Sequence, residues 1–184
     1  MNVRSPESED RNPTLASGMG RATIALLFIF GAVPLAGDAR SRLAGEIDVA
    51  GLREAVARER GHVVLVNFWA TWCVPCREEF PSLSRLQERN RVAGLRIVGV
   101  STDFEKQRPA VEKFLAERRP AFPNYHRKKG GDDQAFIDAV DPSWGGELPY
   151  SVLFDRSGRK VRSFSGKLPI ASAEREIRKL LASR

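Results

Sequence analysis

The sequence predicts an α/β domain built on a central mixed β-sheet flanked by helices, and three stretches carry that prediction. Val63–Trp69 is rich in β-branched and aromatic residues and reads as a buried strand. Leu95–Ser101 reads as a second strand, and the helix between them makes the pair parallel through a crossover. Near the C-terminus, Tyr150–Phe154 and Lys160–Phe164 form a hairpin across Asp155-Arg156-Ser157-Gly158, which adds the antiparallel part of the sheet. A chain of 184 residues, 42% of them hydrophobic, is enough for one domain with a sizeable core.

Each element follows from its own pattern. Between Asp48 and Arg58, apolar Val49, Leu52, Ala55 and Val56 recur at helical spacing up to a stop near Gly61. After the first strand, Pro75 near a helix start and the spacing of Phe80, Leu83 and Leu86 predict a helix from about Val74 to Asn90. Lys106 to Glu117 is predicted helical, with Val111, Phe114 and Leu115 on one face. Pro120 to Gly131 reads as a loop, and Asp132 to Val140 as a short helix. Ser172, with Glu174 and Glu176 nearby, opens a last helix to about Ala182. No internal repeat is present.

Residues 1–21 form a polar N-terminal region. From Ala22 to Gly37 the chain carries no charge and is led by Arg21. Sixteen helical residues span about 24 Å against roughly 30 Å of hydrocarbon, which is short for a transmembrane span and suits a signal-peptide h-region. Gly37 and Ala39 supply the small residues for cleavage before Arg40. The expected organisation is therefore a signal peptide or membrane anchor over 22–39, a linker over 40–45 and the domain over 46–184. Met19 is an alternative start that would leave a short n-region before the apolar run. The destination is the periplasm or another exported location, with the segment either cleaved after Ala39 or anchored in the inner membrane, residues 22–37 giving the membrane association.

The chemistry is concentrated in Trp72-Cys73-Val74-Pro75-Cys76, which holds both cysteines of the chain. Cys73 falls where a strand gives way to a helix, so unpaired backbone N–H groups and the positive end of the helix dipole favour its thiolate. Cys76 lies one turn on, within disulfide reach and turned more toward the domain body. A structural staple closing so short a loop would remove little chain entropy. A zinc site needs about four ligands, and only His62 and His126 remain, at unrelated spacing in loops or at strand edges, so no metal is expected. Glu79, three residues after Cys76, shares its helical face, whereas Glu78 is rotated away by about 100°. Burial there would raise the Glu79 pKa and let it relay the proton that Cys76 loses.

At these residues the chain resembles the thioredoxin superfamily. Val66-Asn67-Phe68-Trp69-Ala70-Thr71-Trp72-Cys73-Val74-Pro75-Cys76-Arg77-Glu78-Glu79-Phe80-Pro81 and Asp141-Pro142-Ser143-Trp144-Gly145-Gly146-Glu147-Leu148-Pro149 are similar to the TlpA/ResA-like branch of exported thiol-disulfide oxidoreductases. The resemblance covers about residues 46 to 184. It implies a thioredoxin-like fold, a redox disulfide between Cys73 and Cys76 with no further cofactor, and a cis-proline at Pro149 facing the pair. Trp72, Pro75, Trp144, Leu148 and Pro149 are then the substrate-binding residues. It also implies a disulfide-bearing protein substrate, a membrane-borne electron donor and a place in cytochrome c maturation or a related pathway. Two positions depart from the pattern: Asn67 stands where cytosolic thioredoxins carry a buried aspartate, and Tyr150-Ser151 follow Pro149 where small residues or threonines are common.

The net charge of +7 comes from the part after Gly37, since the first 37 residues hold three basic and three acidic side chains. The basic clusters lack aromatic interleaving or a nucleic-acid motif, so nucleic acid is not an expected partner, and an acidic partner or anionic membrane surface fits them better. Two other chemistries use the same thiols: a disulfide oxidase, and a metallochaperone holding Cu(I) on two thiolates. The copper reading lacks the wider cysteine spacing and distal histidine it needs, and a peroxidase lacks its Thr-x-x-Cys setting.

Overall fold

The computed structural model describes residues 43–183, apart from 129 and 131. Residues 22–39, where an export segment or anchor is expected, lie outside them. Among the described residues no helix is long and apolar enough to cross a membrane.

Six strands form one sheet. In chain order they are β1 (Leu43–Ile47), β2 (Val63–Trp69), β3 (Leu95–Ser101), β4 (Asn124–Arg127), β5 (Tyr150–Phe154) and β6 (Lys160–Ser165). Their spatial order is β1-β4-β3-β2-β5-β6. The pairs β1·β4, β4·β3 and β3·β2 are parallel, while β2·β5 and β5·β6 are antiparallel, so the sheet is mixed as the sequence predicts.

Five helices cover both faces: α1 (Val49–Arg58), α2 (Val74–Asn90), α3 (Arg108–Arg118), α4 (Asp133–Val140) and α5 (Ile170–Ala182). All seven residues of β2 are buried, because a central strand covered on both sides has no solvent face. Val63, Leu65 and Trp69 point into one core with Phe80, Leu83 and Leu86 of α2, Phe114 of α3 and Ile177 of α5. Val64, Val66 and Phe68 point the other way, toward Leu52 and Val56 of α1 and Phe136 of α4. At about 1.5–3 kcal/mol per buried large apolar side chain, the first of these layers holds α2 against the sheet and fixes where its N-terminus stands, while the second holds α1 and α4 on the other face.

The structure differs from the sequence expectations in four places. Pro120 to Gly131 is not all loop, since Asn124–Arg127 is β4, inserted between β1 and β3. His126 therefore sits in an interior strand with its side chain fully buried, rather than in a loop or at a strand edge. Residues 43–45, expected in a linker, belong to β1, which alternates in burial; with Ala44, Gly45 and Glu46 between Leu43 and Ile47, its sequence is too weakly apolar to read as a strand. Lys106 to Glu117 divides into a 3-10 turn, Glu105–Gln107, and α3, because Pro109 takes the first turn of the helix proper. The last helix begins two residues before Ser172, at Ile170.

Candidate active site

The site lies at the C-terminal edge of the parallel strands, where β2 delivers Cys73 and β3 delivers Asp103, the usual place for function in an open α/β sheet. Cys73 is the N-cap of α2, with Pro75 in the first turn. Its sulfur accepts from the Cys76 N–H at 3.3 Å, so the backbone donor that favours a thiolate is in place. The two cysteines form a disulfide with Cα atoms 5.3 Å apart. Both cysteines are buried, Cys73 at 5% exposure and Cys76 at none, so Cys73 is the nearer of the two to the surface.

Around Cys73 the surface is apolar. Trp72 is 57% exposed, and Val74 and Pro75 are also exposed. The Leu148–Pro149 bond is cis, as the resemblance implies, and Pro149 leads into β5, which pairs with β2 from Tyr150 opposite Phe68. Trp72, Phe104, Phe136, Trp144 and Leu148 line one groove of about 170 Å³. Trp144 is mostly a packing residue: it stacks on Tyr150 with ring centroids 4.8 Å apart, and its indole N–H donates to the Glu147 carbonyl at 2.8 Å. Only part of it faces the groove.

Glu79 is 1% exposed, on the same face of α2 as Cys76. Its Oε1 accepts from Asn67 Nδ2 at 2.8 Å and its Oε2 from the Leu168 N–H at 3.0 Å. Burial pushes its pKa above the ordinary carboxylate value, against the opposing pull of the Leu168 and Asn67 donors and of Lys167. Asn67 also donates to Ser151 Oγ at 3.0 Å, so the residue that replaces the aspartate ties the carboxylate to β5. Glu78 is instead exposed and ion-paired with Lys167 at 3.1 Å. The structure thus separates the two glutamates as the helical phase predicts.

Neither histidine completes a metal set with the thiols. His62 lies at the opposite end of β2, 3.0 Å from Arg96 Nη2 and 3.4 Å from Glu59. His126 faces Glu105 at 3.7 Å.

Sequence reasoning missed the polar groups that hold these loops. Asp141 accepts from Tyr150 OH at 2.9 Å and from Ser143 Oγ at 2.8 Å, pairs with Lys160 at 2.8 Å and also accepts from Ser163. Burial alone would raise its pKa, but Lys160, Ser163 and the N–H and hydroxyl of Ser143 hold it well below the usual carboxylate range, and these bonds anchor the segment carrying Trp144 and Pro149. Asn124 accepts from the Trp69 indole at 3.1 Å, and Asp103 grips Thr71. Asp141 does stand in the Asp141–Pro149 stretch that carries the resemblance, but its bonds to Lys160 and Ser163, like those of Asn124 to Trp69 and Asp103 to Thr71, join segments that only the folded chain brings together.

A six-stranded thioredoxin-like sheet with a CxxC disulfide capping the following helix defines a thiol-disulfide oxidoreductase. The chain belongs to the AhpC/TSA family, whose profile matches residues 41–168. It is 27% identical over 133 residues to the thiol-disulfide oxidoreductase ResA of Bacillus thuringiensis subsp. konkukian (strain 97-27), covering 72% of each chain. To ResA of Bacillus subtilis (strain 168) it is 31% identical over 121 residues, 66% of this chain and 63% of the relative. The crystal structure of a thiol:disulfide interchange protein DsbE from Chlorobium tepidum superposes with a TM-score of 0.58 at 27% identity, over 69% of this chain and 85% of that one.

Proposed function

We propose that the chain is an exported reductant that opens disulfides in partner proteins outside the cytoplasm, in cytochrome c maturation or a related pathway. The observation that supports this direction best is the buried Glu79 on the same face as Cys76 and one turn beyond it. A thiol pair becomes a strong oxidant when its thiolate is stabilised, whereas an ionisable carboxyl beside it disfavours thiolate and so favours giving electrons away.

In the reduced protein, Cys73 thiolate attacks one sulfur of the partner disulfide. A mixed disulfide forms and the partner's other sulfur leaves as a thiolate. Cys76 loses its proton to Glu79 and attacks Cys73 Sγ, which forms the intramolecular disulfide and releases the partner's second thiolate. Two electrons pass to the partner, and two protons convert its thiolates to thiols. A membrane-borne dithiol donor then returns two electrons to Cys73–Cys76. The partner strand packs against Trp72, Pro75, Trp144, Leu148 and Pro149.

Cys76→Ser traps partners as mixed disulfides, while Cys73→Ser traps none and abolishes turnover, because only Cys73 is placed to attack. Non-reducing gels of cells carrying each variant check this, and trapping by Cys73→Ser alone would reverse the two roles. The uncharged apolar stretch over 22–37, led by Arg21 and followed by Gly37 and Ala39, supports export. Reporter fusions of residues 1–45 and 19–45, active only outside the cytoplasm, are expected to give signal; silence from both contradicts export.

A further inference from the structure

Asp103 is fully buried just past the end of β3, and three of the hydrogen bonds to its carboxylate come from Thr71, in the turn that precedes Cys73. Its two oxygens accept the Thr71 N–H at 2.9 and 3.2 Å, and Oδ1 accepts the Thr71 hydroxyl at 2.5 Å. Oδ2 also accepts the Ser101 hydroxyl at 2.8 Å, which ties the carboxylate to its own strand. Next to it, the Thr102 N–H donates to the Trp69 carbonyl at 2.8 Å. The end of β3 therefore grips the end of β2 on both sides of Ala70. From Ala70 the turn closes directly on the site, since the Cys73 N–H donates to the Ala70 carbonyl at 3.2 Å. Thr71 is followed by Trp72 and Asp103 by Phe104, each 57% exposed, and both line the groove beside the disulfide.

We propose that Asp103 is a positioning residue for thiol-disulfide exchange: its carboxylate latches the 70–73 turn, holds Cys73 at the N-cap of α2 and sets the gap between Trp72 and Phe104. The inference rests on the exchange chemistry of the Cys73–Cys76 pair and not on the direction of electron flow. An asparagine of the same size offers one acceptor oxygen in place of two and adds an N–H pair, so, depending on which way the amide lies, Thr71 loses either the 2.9 Å acceptor of its N–H or the acceptor of its hydroxyl. A loosened turn lets Cys73 Sγ drift from the Cys76 N–H at 3.3 Å, and the thiolate loses the donor that favours it.

The test is alkylation of Cys73 in the reduced protein by iodoacetamide across pH, read by mass spectrometry. Asp103→Asn and Thr71→Val are each expected to move the alkylation midpoint to higher pH and to slow alkylation at pH 7 by about tenfold, the equivalent of one unit in thiol pKa. Thr71→Val keeps the carboxylate charge and loosens only the latch, while Thr71→Ser restores the hydroxyl and the parent rate. Leu52→Ala, in the core on the other face of the sheet, lowers thermal stability without moving the Cys73 midpoint. If Asp103→Asn does not fold, Thr71→Val alone decides. Unchanged rates and midpoints in the folded variants would reduce Asp103 to a turn cap. A midpoint that falls in Asp103→Asn and stays put in Thr71→Val would show charge acting without a latch, and would equally overturn the proposal. A wrong direction of electron flow would appear in the reduction potential and leave these alkylation rates untouched.

Discussion

Glu79 accepts two hydrogen bonds and is almost completely enclosed, yet its pKa lies above the ordinary value, because desolvation outweighs the help of Asn67 and Leu168. The sign of its effect follows. Below its raised pKa the carboxyl is neutral; in the proposed role, as pH rises through that pKa it ionises, pushes the thiol titration upward and serves as a base for the Cys76 proton. Glu79→Gln is expected to keep the fold and the disulfide, shift the thiol titration to lower pH and slow resolution by about 10- to 100-fold, near the lower end of what a positioned acid-base group contributes. Glu78→Gln, at an exposed position, changes neither. Stopped-flow rates of mixed-disulfide resolution between pH 5 and 9 check this, and identical profiles for the two variants would make Glu79 a buried helix residue without a proton role.

At the scale of the elements, the site depends on how β3 and β4 meet. A Cβ on Gly99 would lie 2.0 Å from Asn124 Oδ1, the atom that accepts the Trp69 indole N–H. Asn124 cannot step aside freely, since its Nδ2 donates to the Phe122 carbonyl at 3.1 Å. Gly99→Ala should therefore combine overpacking with a buried N–H left without its acceptor, a loss of about 2–4 kcal/mol. Urea unfolding measures it, and a change below about 0.5 kcal/mol, the range of an ordinary surface substitution, would contradict this account of the strand contact. The same contact explains what the sequence did and did not disclose. Elements whose own composition or spacing marks them, such as the β-branched and aromatic run of β2 and the apolar spacing of α2, were legible within a residue or two. β4 has only Asn-Tyr-His-Arg, whose burial depends on Trp69, Glu105 and Asp133 elsewhere in the chain, so no local pattern announced it. In the site, Cys73, Cys76 and Glu79 were legible because spacing on one helix places them. Asp103, Asp141 and Asn124 were not, because the partners that tie them to the site loops, Thr71, Lys160 and Trp69, lie on other elements.

Across the whole domain, two apolar layers and a mixed sheet hold one rigid edge on which a disulfide, a cis-proline loop and a groove of aromatic residues come together. The layers explain why the helix bearing the cysteines is fixed. The groove is the surface on which the proposed polypeptide partner would lie, and the buried Glu79 on the face of Cys76 is what the proposed direction of exchange rests on. That direction is the central claim, and the midpoint potential of the Cys73–Cys76 couple, measured by equilibration against defined dithiol-disulfide buffers, tests it most directly. A value near about −270 mV, in the range of thioredoxin, is the predicted result for a reductant; a value near about −120 mV, in the range of the strongest oxidases, would contradict it.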